Sequence, residues 1–321
     1  MKFQKRTSGN DSVLIHPPGF YIVAFTSLNF INVYFVFLAF VYIVTVIFNV
    51  LVIYIIVTDY RLRTPKFVAV VNLAVIDVVL SSCIIPSMIK LFLSKDNFIP
   101  FNLCFVQMFI YYCFVSLESF ALAVLAYDRL IAICFPLRQH SINNTRSMFV
   151  IVGIIWSACV GVTIFTTSIM TRLSFCGSVQ VFSYFCDYAP VFRLACNDIS
   201  LQWACASILS LVNLTGPLSF IILSYACILL VVFRMKTVER RLKALATCTE
   251  HLILVAIFYI PIMSIFFIGL FSSGIDPDLR VLSLSLSTCI PPCLNPIIYS
   301  LKTKEIKTRV LALVHKVKIT P

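Results

Sequence analysis

Seven long apolar stretches constrain this chain more than any other feature. A helix that crosses a bilayer needs about 20 predominantly apolar residues, and the sequence is 60% hydrophobic with only 12% charged residues. A soluble domain could not present that composition to water without aggregating, and strand alternation is absent from the stretches. We therefore predict an all-α membrane protein, a bundle of seven transmembrane helices at about 34–57, 67–89, 102–126, 148–171, 199–233, 243–275 (apolar from 252) and 281–301.

The distribution of basic residues predicts the orientation of this bundle. Of the 25 Lys and Arg residues, 17 fall in the loops after helices 1, 3 and 5 and in the tail, and basic loops stay in the cytoplasm. We expect an extracellular amino-terminal segment at 1–33, the seven-helix domain at 34–301, and a cytoplasmic tail with a short amphipathic helix at 302–321. The net charge of +12 then faces anionic lipid and a protein partner. Because that charge is dispersed over short loops, we expect no nucleic-acid partner.

The amino-terminal segment lacks the apolar run of a cleavable signal peptide, so helix 1 is expected to direct insertion. Asn10-Asp11-Ser12 fits the N-glycosylation acceptor pattern on the outer side. Asn143-Asn144-Thr145 fits equally well but falls in a predicted cytoplasmic loop, and Asn213-Leu214-Thr215 falls inside helix 5. We predict glycosylation at Asn10 alone.

Four cysteines fall on the oxidising outer side: Cys104 at the start of helix 3, and Cys176, Cys186 and Cys196 in the loop before helix 5. Four such cysteines permit three pairings, and spacing does not choose among them. The other nine are expected to be small buried hydrophobes.

Two lone acids, Asp77 and Glu118, fall near the middle of the membrane, with Asn49, Asn72 and Asn295 at similar depth. Polar groups in hydrocarbon must face one another or water. We expect a shared cluster that could hold a cation such as sodium, a proton or a water network. Interhelical hydrogen bonding without further function is the alternative.

Helix 3 must reach both faces of the membrane. Cys104 and Arg129 are 25 residues apart in the sequence, roughly 37 Å along a helix, against about 30 Å of hydrocarbon. Asp128-Arg129 therefore falls at the cytoplasmic interface, as a switch or as a snorkelling charge pair. Helices 5, 6 and 7 are expected to be kinked at Pro217, Pro261 and Pro296.

Each predicted helix carries a motif of one known family, in the same order: Asn49; Leu73-Ala74-Val75-Ile76-Asp77; Asp128-Arg129; Trp156; Pro217 with Tyr225; Phe258-Tyr259-Ile260-Pro261; Asn295-Pro296-Ile297-Ile298-Tyr299. Over essentially its whole length the chain resembles a rhodopsin-type G-protein-coupled receptor. Within that class it resembles odorant receptors, of the fish type, through Leu125–Cys134 with Pro136-Leu137-Arg138, Lys243–Leu252, Ser224-Tyr225, Glu118 and Asn295–Lys302.

The resemblance implies pairings and roles for several residues. Cys104–Cys186 would be the disulfide that ties the outer loop to helix 3, and Cys176–Cys196 would be an additional bridge. Asn49, Asp77, Glu118 and Asn295 would form a polar core that rearranges on activation. The residues of G-protein coupling would be Asp128, Arg129, Tyr225, His251, Asn295, Pro296 and Tyr299, with Arg129 leaving Asp128 to join the two tyrosines.

The resemblance also implies a plasma-membrane receptor of olfactory neurons that binds an odorant and activates a G protein. We expect the stimulatory G protein, which raises cyclic AMP. The resemblance implies neither an enzyme nor a cofactor. Three features depart from the family pattern. Leu130 replaces the tyrosine of Asp-Arg-Tyr, basic residues at the start of helix 6 exclude an acidic lock for Arg129, and Glu250 replaces a small polar residue.

The ligand pocket is expected in the outer half of the bundle between helices 3, 5, 6 and 7. Amine receptors place an aspartate where Tyr111 stands, so amine recognition through that position is disfavoured. The expected lining residues are Tyr111, Tyr112, Val115, Ser116, Tyr259, Ile262 and Phe266.

Two other functions remain open. A chemosensory receptor of a non-olfactory tissue would have the same motifs. A small cation or proton transporter or channel would use Asp77 and Glu118 as its path, although transporters commonly show internal repeats and none is evident in this sequence. The four histidines lie far apart, without the spacing of a metal site or a nucleophile elbow, which argues against an enzyme.

Overall fold

A computed structural model describes residues 15–25, 30–94, 96–271, 276–302 and 306–310, with the side chains of 266–271, 277 and 299–302 left out. Within these residues, seven helices are long and apolar enough to cross a membrane, as predicted. We number them helix 1 to helix 7: Ile31–Thr58, Pro65–Ser94, Phe101–Cys134, Thr145–Met170, Ser200–Phe233, Val238–Phe271 and Pro277–Lys302.

The surface of the bundle is apolar and part of its interior is polar, the reverse of a soluble protein. Phe40, Ile154 and Leu230 are 65%, 64% and 63% exposed, and water would penalise each of them. Asp77 and Glu118, by contrast, are 0% and 1% exposed. Hydrocarbon around the bundle accounts for both observations, because it solvates apolar side chains and leaves polar groups to one another.

Helix 3 is longer than its apolar stretch. It runs for 34 residues, from Phe101 to Cys134, roughly 51 Å, whereas hydropathy ended it near 126. Hydropathy falls at the polar Tyr127-Asp128-Arg129, but the backbone stays helical until the residues before Pro136, where the ring of proline excludes a further turn.

Three other helices begin before their apolar stretches for the same reason. Helix 1 begins at Ile31, helix 6 at Val238 and helix 7 at Pro277, in each case earlier than the apolar pattern indicated. A hydropathy criterion does not detect polar helical turns at the membrane surface. Residues 272–275, within the range predicted for helix 6, lie outside the described residues. Three short helices connect the long ones: a 3₁₀ turn at Tyr60–Leu62 and α-helical turns at Gln139–Ile142 and Tyr188–Phe192.

A three-stranded sheet covers the end of the bundle that carries the amino terminus, and the sequence analysis did not predict it. Its strands are β1 (Gly19–Ile22), β2 (Phe98–Pro100) and β3 (Gln180–Val181), in the order β2-β1-β3, with β1 antiparallel to β2 and parallel to β3. Phe20 of β1 is fully buried. A Cβ at position 19 would collide with the carbonyl oxygen of Ile99, so glycine lets the strands approach.

The described part of the tail, residues 306–310, is helical and is tied to the loop after helix 1. Arg309 forms an ion pair with Asp59 at 2.7 Å, and Ile306 is fully buried. The backbone N–H of Arg61, with help from Arg309, holds the pKa of Asp59 below its usual range. The predicted amphipathic helix over 302–321 otherwise lies outside the described residues, as does Asn10.

Candidate functional site

Two disulfides constrain the loop between helices 4 and 5, one by tying it to helix 3 and one by closing a ring within the loop. Cys104 is joined to Cys186 and Cys176 to Cys196, with Cα atoms 5.3 Å and 5.8 Å apart. These are the pairings that the resemblance implied. Among the other nine cysteines, the expectation of burial is wrong for Cys227, which is exposed on the apolar surface of helix 5. Because Cys186 is fixed to helix 3, the loop residues beside it lie over the interior of the bundle.

Tyr184 of this loop fills the space between helices 3 and 7. Its hydroxyl lies 3.0 Å from that of Tyr111 and 3.3 Å from the hydroxyl of Thr288, and Tyr111 and Thr288 are themselves 3.4 Å apart. The neighbouring Phe185 packs its ring against that of Tyr111, with centroids 3.9 Å apart. Tyr184 and Phe185 are 1% and 2% exposed. The predicted ligand residue Tyr111 therefore contacts the outer loop as well as helix 7.

Tyr112, the next predicted ligand residue, contacts the acid of the same loop. Its hydroxyl donates to Oδ1 of Asp187 at 2.5 Å, and the hydroxyl of Ser183 donates to Oδ2 at 3.4 Å. Arg280, at the start of helix 7, lies 3.8 Å from Oδ2 with 36% of its side chain exposed. A nearly buried carboxylate thus joins the loop to helices 3 and 7.

The other predicted ligand residues lie deeper or nearby. Val115 packs against both the core that contains Tyr111 and the core that contains Tyr259, and half-buried Ile262 packs against the second. Ser116 is half-buried, and its hydroxyl donates to the backbone oxygen of Tyr112. Phe266 lies in helix 6, and its side chain is outside the described residues.

Tyr259 belongs to a separate polar contact below this layer. Its hydroxyl lies 2.6 Å from that of Ser119, which donates to the carbonyl oxygen of Asn213 at 2.8 Å. Because a serine hydroxyl has one hydrogen, Tyr259 is the donor to Ser119. Helices 3, 5 and 6 meet at this point.

The polar core is only partly as predicted. Asn295 donates to both carboxylate oxygens of Asp77, at 3.1 Å and 3.0 Å, while Asn49 donates to the carbonyl oxygens of Pro292 and Thr45 at 3.0 Å and 2.9 Å. Asn49, Asp77, Asn295 and Pro296 line one narrow gap between helices 1, 2 and 7.

Asn72 is the exception. It was expected in the polar core, but its side-chain oxygen accepts the indole N–H of Trp156 at 2.7 Å. It therefore joins helix 2 to helix 4. The predicted depth of Asn72 in the membrane does not decide its partner. The partner depends on which face of helix 2 the side chain occupies, and depth does not give the face.

Glu118 is buried in helix 3. Within the described residues, neither of its carboxylate oxygens has a hydrogen bond, and the same holds for Oγ of Ser81 and Oδ1 of Asn295. The charges of Glu118 and Asp77 are close enough to interact. These free groups are oxygens, the donors that a hard cation such as sodium prefers. No group of three or more His, Cys, Asp or Glu side chains in the described ranges is placed to hold a metal ion.

The end of helix 3 that carries Asp128 and Arg129 differs from what the resemblance implied. Asp128 is 4% exposed and accepts a hydrogen bond from Nδ2 of Asn143 at 2.9 Å. Within the described residues no ion pair joins Asp128 to Arg129. Arg129 is half-buried.

Tyr225 and His251 form a buried pair between helices 5 and 6. The hydroxyl of Tyr225 lies 2.8 Å from Nδ1 of His251, whose Nε2 lies 3.1 Å from the carbonyl oxygen of Leu122. A carbonyl oxygen only accepts, so in the neutral ring Nε2 carries the hydrogen and Tyr225 donates to Nδ1. Helix 3 is thereby joined to helices 5 and 6. Tyr299 lies in helix 7, and its side chain is outside the described residues.

Sequence reasoning missed several residues that contact the predicted site. Tyr184, Phe185 and Asp187 flank Cys186, and a cysteine bridged to helix 3 is a signal that its neighbours face the bundle. The other missed residues carry no such signal, because only the assembled bundle brings them to their partners: Ser119, Asn143, Arg280 and Thr288.

Comparison with known proteins places the chain in one family. The olfactory receptor family model matches residues 38–316. Olfactory receptor 5AR1 of Mus musculus is 36% identical over 290 residues, covering 88% of this chain and 91% of that protein. Olfactory receptor 1M1 of Homo sapiens is 34% identical over 279 residues, covering 87% and 88%.

A third relative, olfactory receptor 2AT4 of Homo sapiens, is 29% identical over 307 residues, covering 95% of each chain. The fish-type resemblance stays a prediction. The match spans most of the seven-helix bundle, and the members of this family are receptors and not enzymes. The chain therefore belongs to the olfactory receptor family and is a multi-pass odorant receptor of the plasma membrane.

Proposed function

We propose that this receptor binds a small odorant in the outer half of the bundle and activates the stimulatory G protein, which raises cyclic AMP. One observation carries the proposal: helix 3 makes a polar contact in each layer of the bundle. Tyr111 contacts the outer loop, Ser119 contacts Tyr259, and the carbonyl oxygen of Leu122 contacts His251. A displacement of helix 3 by a ligand would disturb all of these contacts together.

The ligand is expected to be small and mostly apolar, with one or two hydrogen-bonding groups. Tyr111, Tyr112 and Val115 offer aromatic and aliphatic surface beside hydroxyl groups, the usual composition of a small-molecule pocket. The remaining proposed contacts are Ser116, Tyr259, Ile262 and Phe266. An agonist acts only through its higher affinity for the active state, so it must fit the arrangement in which Tyr184 has moved relative to helix 7.

Two observations support an orientation with the amino terminus outside. The disulfides and the sheet with β1 lie at one end of the bundle, and disulfides persist on the oxidising side of a membrane. The loops and adjoining helix ends at the other side, together with the carboxyl-terminal tail, carry 17 of the 25 basic residues, as cytoplasmic segments do.

Coupling is proposed to use the cytoplasmic ends of helices 3, 5, 6 and 7. In the active state Arg129 joins Tyr225 and Tyr299, and the hydroxyl of Tyr225 can accept from the guanidinium while it donates to His251. Asp128 takes part as the acidic neighbour of Arg129, Asn295 through its hydrogen bonds to Asp77, and Pro296 as a proline inside helix 7 that allows the helix to bend. Separation of these helices opens a cleft whose basic rim suits a G protein.

Asp77 and Glu118 are proposed to rearrange during this transition. The unpartnered oxygens of Glu118 would be satisfied by a sodium ion or by a proton, and both alternatives remain open. Either would favour the arrangement in which the two carboxylates lie closest.

A panel of odorants tests the proposal. Cells that express the receptor with an olfactory stimulatory Gα subunit are exposed to aliphatic and cyclic alcohols, aldehydes, esters, carboxylic acids and amines, and cyclic AMP is measured. We expect a response to a chemically related subset that is absent from untransfected cells. The proposal would be contradicted if the receptor reaches the cell surface but no compound of a broad panel raises cyclic AMP.

Asp77 and Glu118 are also what favours the second candidate, a cation or proton channel. Ligand-evoked current that persists in cells lacking the stimulatory Gα subunit would decide for the channel. Expression in olfactory sensory neurons, which we expect, would separate an olfactory role from chemoreception in another tissue.

A further inference from the structure

The segment Asn143-Asn144-Thr145 joins the loop after helix 3 to the start of helix 4. It fits a glycosylation pattern, but each of its residues makes a structural contact. Oδ1 of Asn144 caps helix 4 by accepting the backbone N–H of Ser147 at 2.8 Å. The hydroxyl of Thr145 donates to the carbonyl oxygen of Arg63 at 3.1 Å, which joins this loop to the loop after helix 1.

Asn143 itself faces inward. It is 2% exposed, its backbone N–H bonds the carbonyl oxygen of Gln139 at 2.8 Å, and its side-chain N–H donates to Oδ1 of Asp128 at 2.9 Å. A buried amide whose Nδ2 is bonded to a carboxylate cannot serve as a glycan acceptor, and it holds the carboxylate of Asp128 in one place.

The contact determines what Asp128 does to its neighbour. A carboxylate that is 4% exposed needs donors, because an unsatisfied buried charge is costly. The cations whose charge acts on it are Arg129 and Lys66. With Asn143 supplying a neutral donor, Asp128 is satisfied without an ion pair to Arg129.

We infer that Asn143 is a positioning residue for receptor activation: by holding Asp128, it keeps Arg129 available for the G protein. The inference rests on the proposed coupling function and deepens it. Without the amide, Asp128 takes the guanidinium of Arg129 as its donor and withdraws it from the cytoplasmic cleft. Helix 4 and the loop after helix 1, joined to the same segment by Asn144 and Thr145, set the position of Asn143.

The test measures binding of a nucleotide-free stimulatory Gα subunit to the full-length receptor in lipid nanodiscs. Asn143→Leu keeps the branching and the number of side-chain heavy atoms but cannot donate. A hydrogen bond to a charged group contributes enough that its loss corresponds to roughly tenfold in an equilibrium constant. We therefore expect roughly tenfold weaker Gα binding by Asn143→Leu and near wild-type binding by Asn143→Gln, which keeps the donor.

A double-mutant cycle separates positioning from a general loss of structure. In the Asp128→Asn background the acid that would capture Arg129 is absent, so Asn143→Leu should change Gα affinity by less than twofold there. Asn144→Ser, which preserves the cap of helix 4 and does not touch Asp128, is the matched control. If Asn143→Leu fails to reach the membrane, Asn143→Ala is measured in its place.

An equal loss of affinity in both backgrounds, or no loss in the wild-type background, would overturn the inference. Absence of Gα binding by the wild-type receptor and by Asn144→Ser would instead overturn the stimulatory coupling on which the inference rests. The two failures are therefore distinguishable in one data set.

Discussion

Asn295 donates its side-chain amide to both carboxylate oxygens of Asp77, at 3.1 Å and 3.0 Å, and so joins helix 7 to helix 2 inside the membrane. Asn295 is 2% exposed, so bulk water does not compete for the contact. The pair links the motif of helix 7 to the rest of the polar core.

Asn295→Leu should destabilise the receptor by about 3 kcal/mol, because a buried carboxylate loses its donors. Thermal unfolding of the purified receptor in detergent measures the change. The double variant Asn295→Leu/Asp77→Leu should recover part of the loss, since no charge is then left unpaired. Equal stability of Asn295→Leu and wild type would contradict this view of the pair.

Tyr225→Phe should weaken signalling more than it weakens folding. The variant loses the hydroxyl that donates to His251 at rest and that would contact Arg129 in the active state, so we expect agonist potency to fall by about fivefold, the effect of roughly 1 kcal/mol. Dose–response curves of cyclic AMP with an agonist from the odorant panel provide the measurement. Tyr54→Phe is the control, because Tyr54 is 55% exposed on helix 1; an identical effect in both variants would argue against a role of the pair.

Cys104→Ser should trap the receptor in the secretory pathway. Loss of a bridge of this kind typically costs about 2–5 kcal/mol, and here it also releases the loop that carries Tyr184 and Asp187. Flow cytometry of an epitope on the amino terminus would measure surface expression. Cys205→Ser, which removes a free cysteine, should leave surface expression unchanged, and wild-type levels of the Cys104 variant would show that the bridge is dispensable.

Two of the three side chains that contact Asp187, Tyr112 and Arg280, are predicted to contribute unequally to the free energy of unfolding. Tyr112→Phe should cost about 1–3 kcal/mol, because it removes a buried donor from a carboxylate. Arg280→Gln should cost about 0–1 kcal/mol, because the guanidinium is 36% exposed and 3.8 Å away, where solvent screens the charge. Thermal unfolding of both variants checks the order, and a larger effect of Arg280→Gln would reverse our assignment of the main contact.

Hydropathy and motif order were sufficient for the seven helices and the family, because length and apolar composition decide whether a segment spans a membrane. Helix ends were harder to predict from the sequence. Helix 3 continues through Tyr127-Asp128-Arg129 to Cys134, since its backbone hydrogen bonds persist where the surroundings become polar. Strand β1 escaped prediction because a strand of four residues is formed only with its partners in two other loops.

Partner choice within the bundle was the least predictable property. Asp77 and Asn295 share a depth and do meet, whereas Asn72 shares that depth and bonds Trp156. Asp128 bonds Asn143 and not the adjacent Arg129. Each outcome depends on the rotation and tilt of packed helices, which a single sequence does not encode in any local pattern.

We propose that an external odorant acts through Arg129 on a stimulatory G protein. The most direct test is odorant-evoked cyclic AMP in cells that lack the stimulatory Gα subunit, before and after that subunit is restored, for wild type and Arg129→Ala at matched surface expression. We predict a response only when wild-type receptor and Gα are both present, with Arg129→Ala reduced at least tenfold, as loss of about 1.4 kcal/mol or more of coupling would require. A response of normal size in the Arg129→Ala receptor, or one that persists without Gα, would contradict the account.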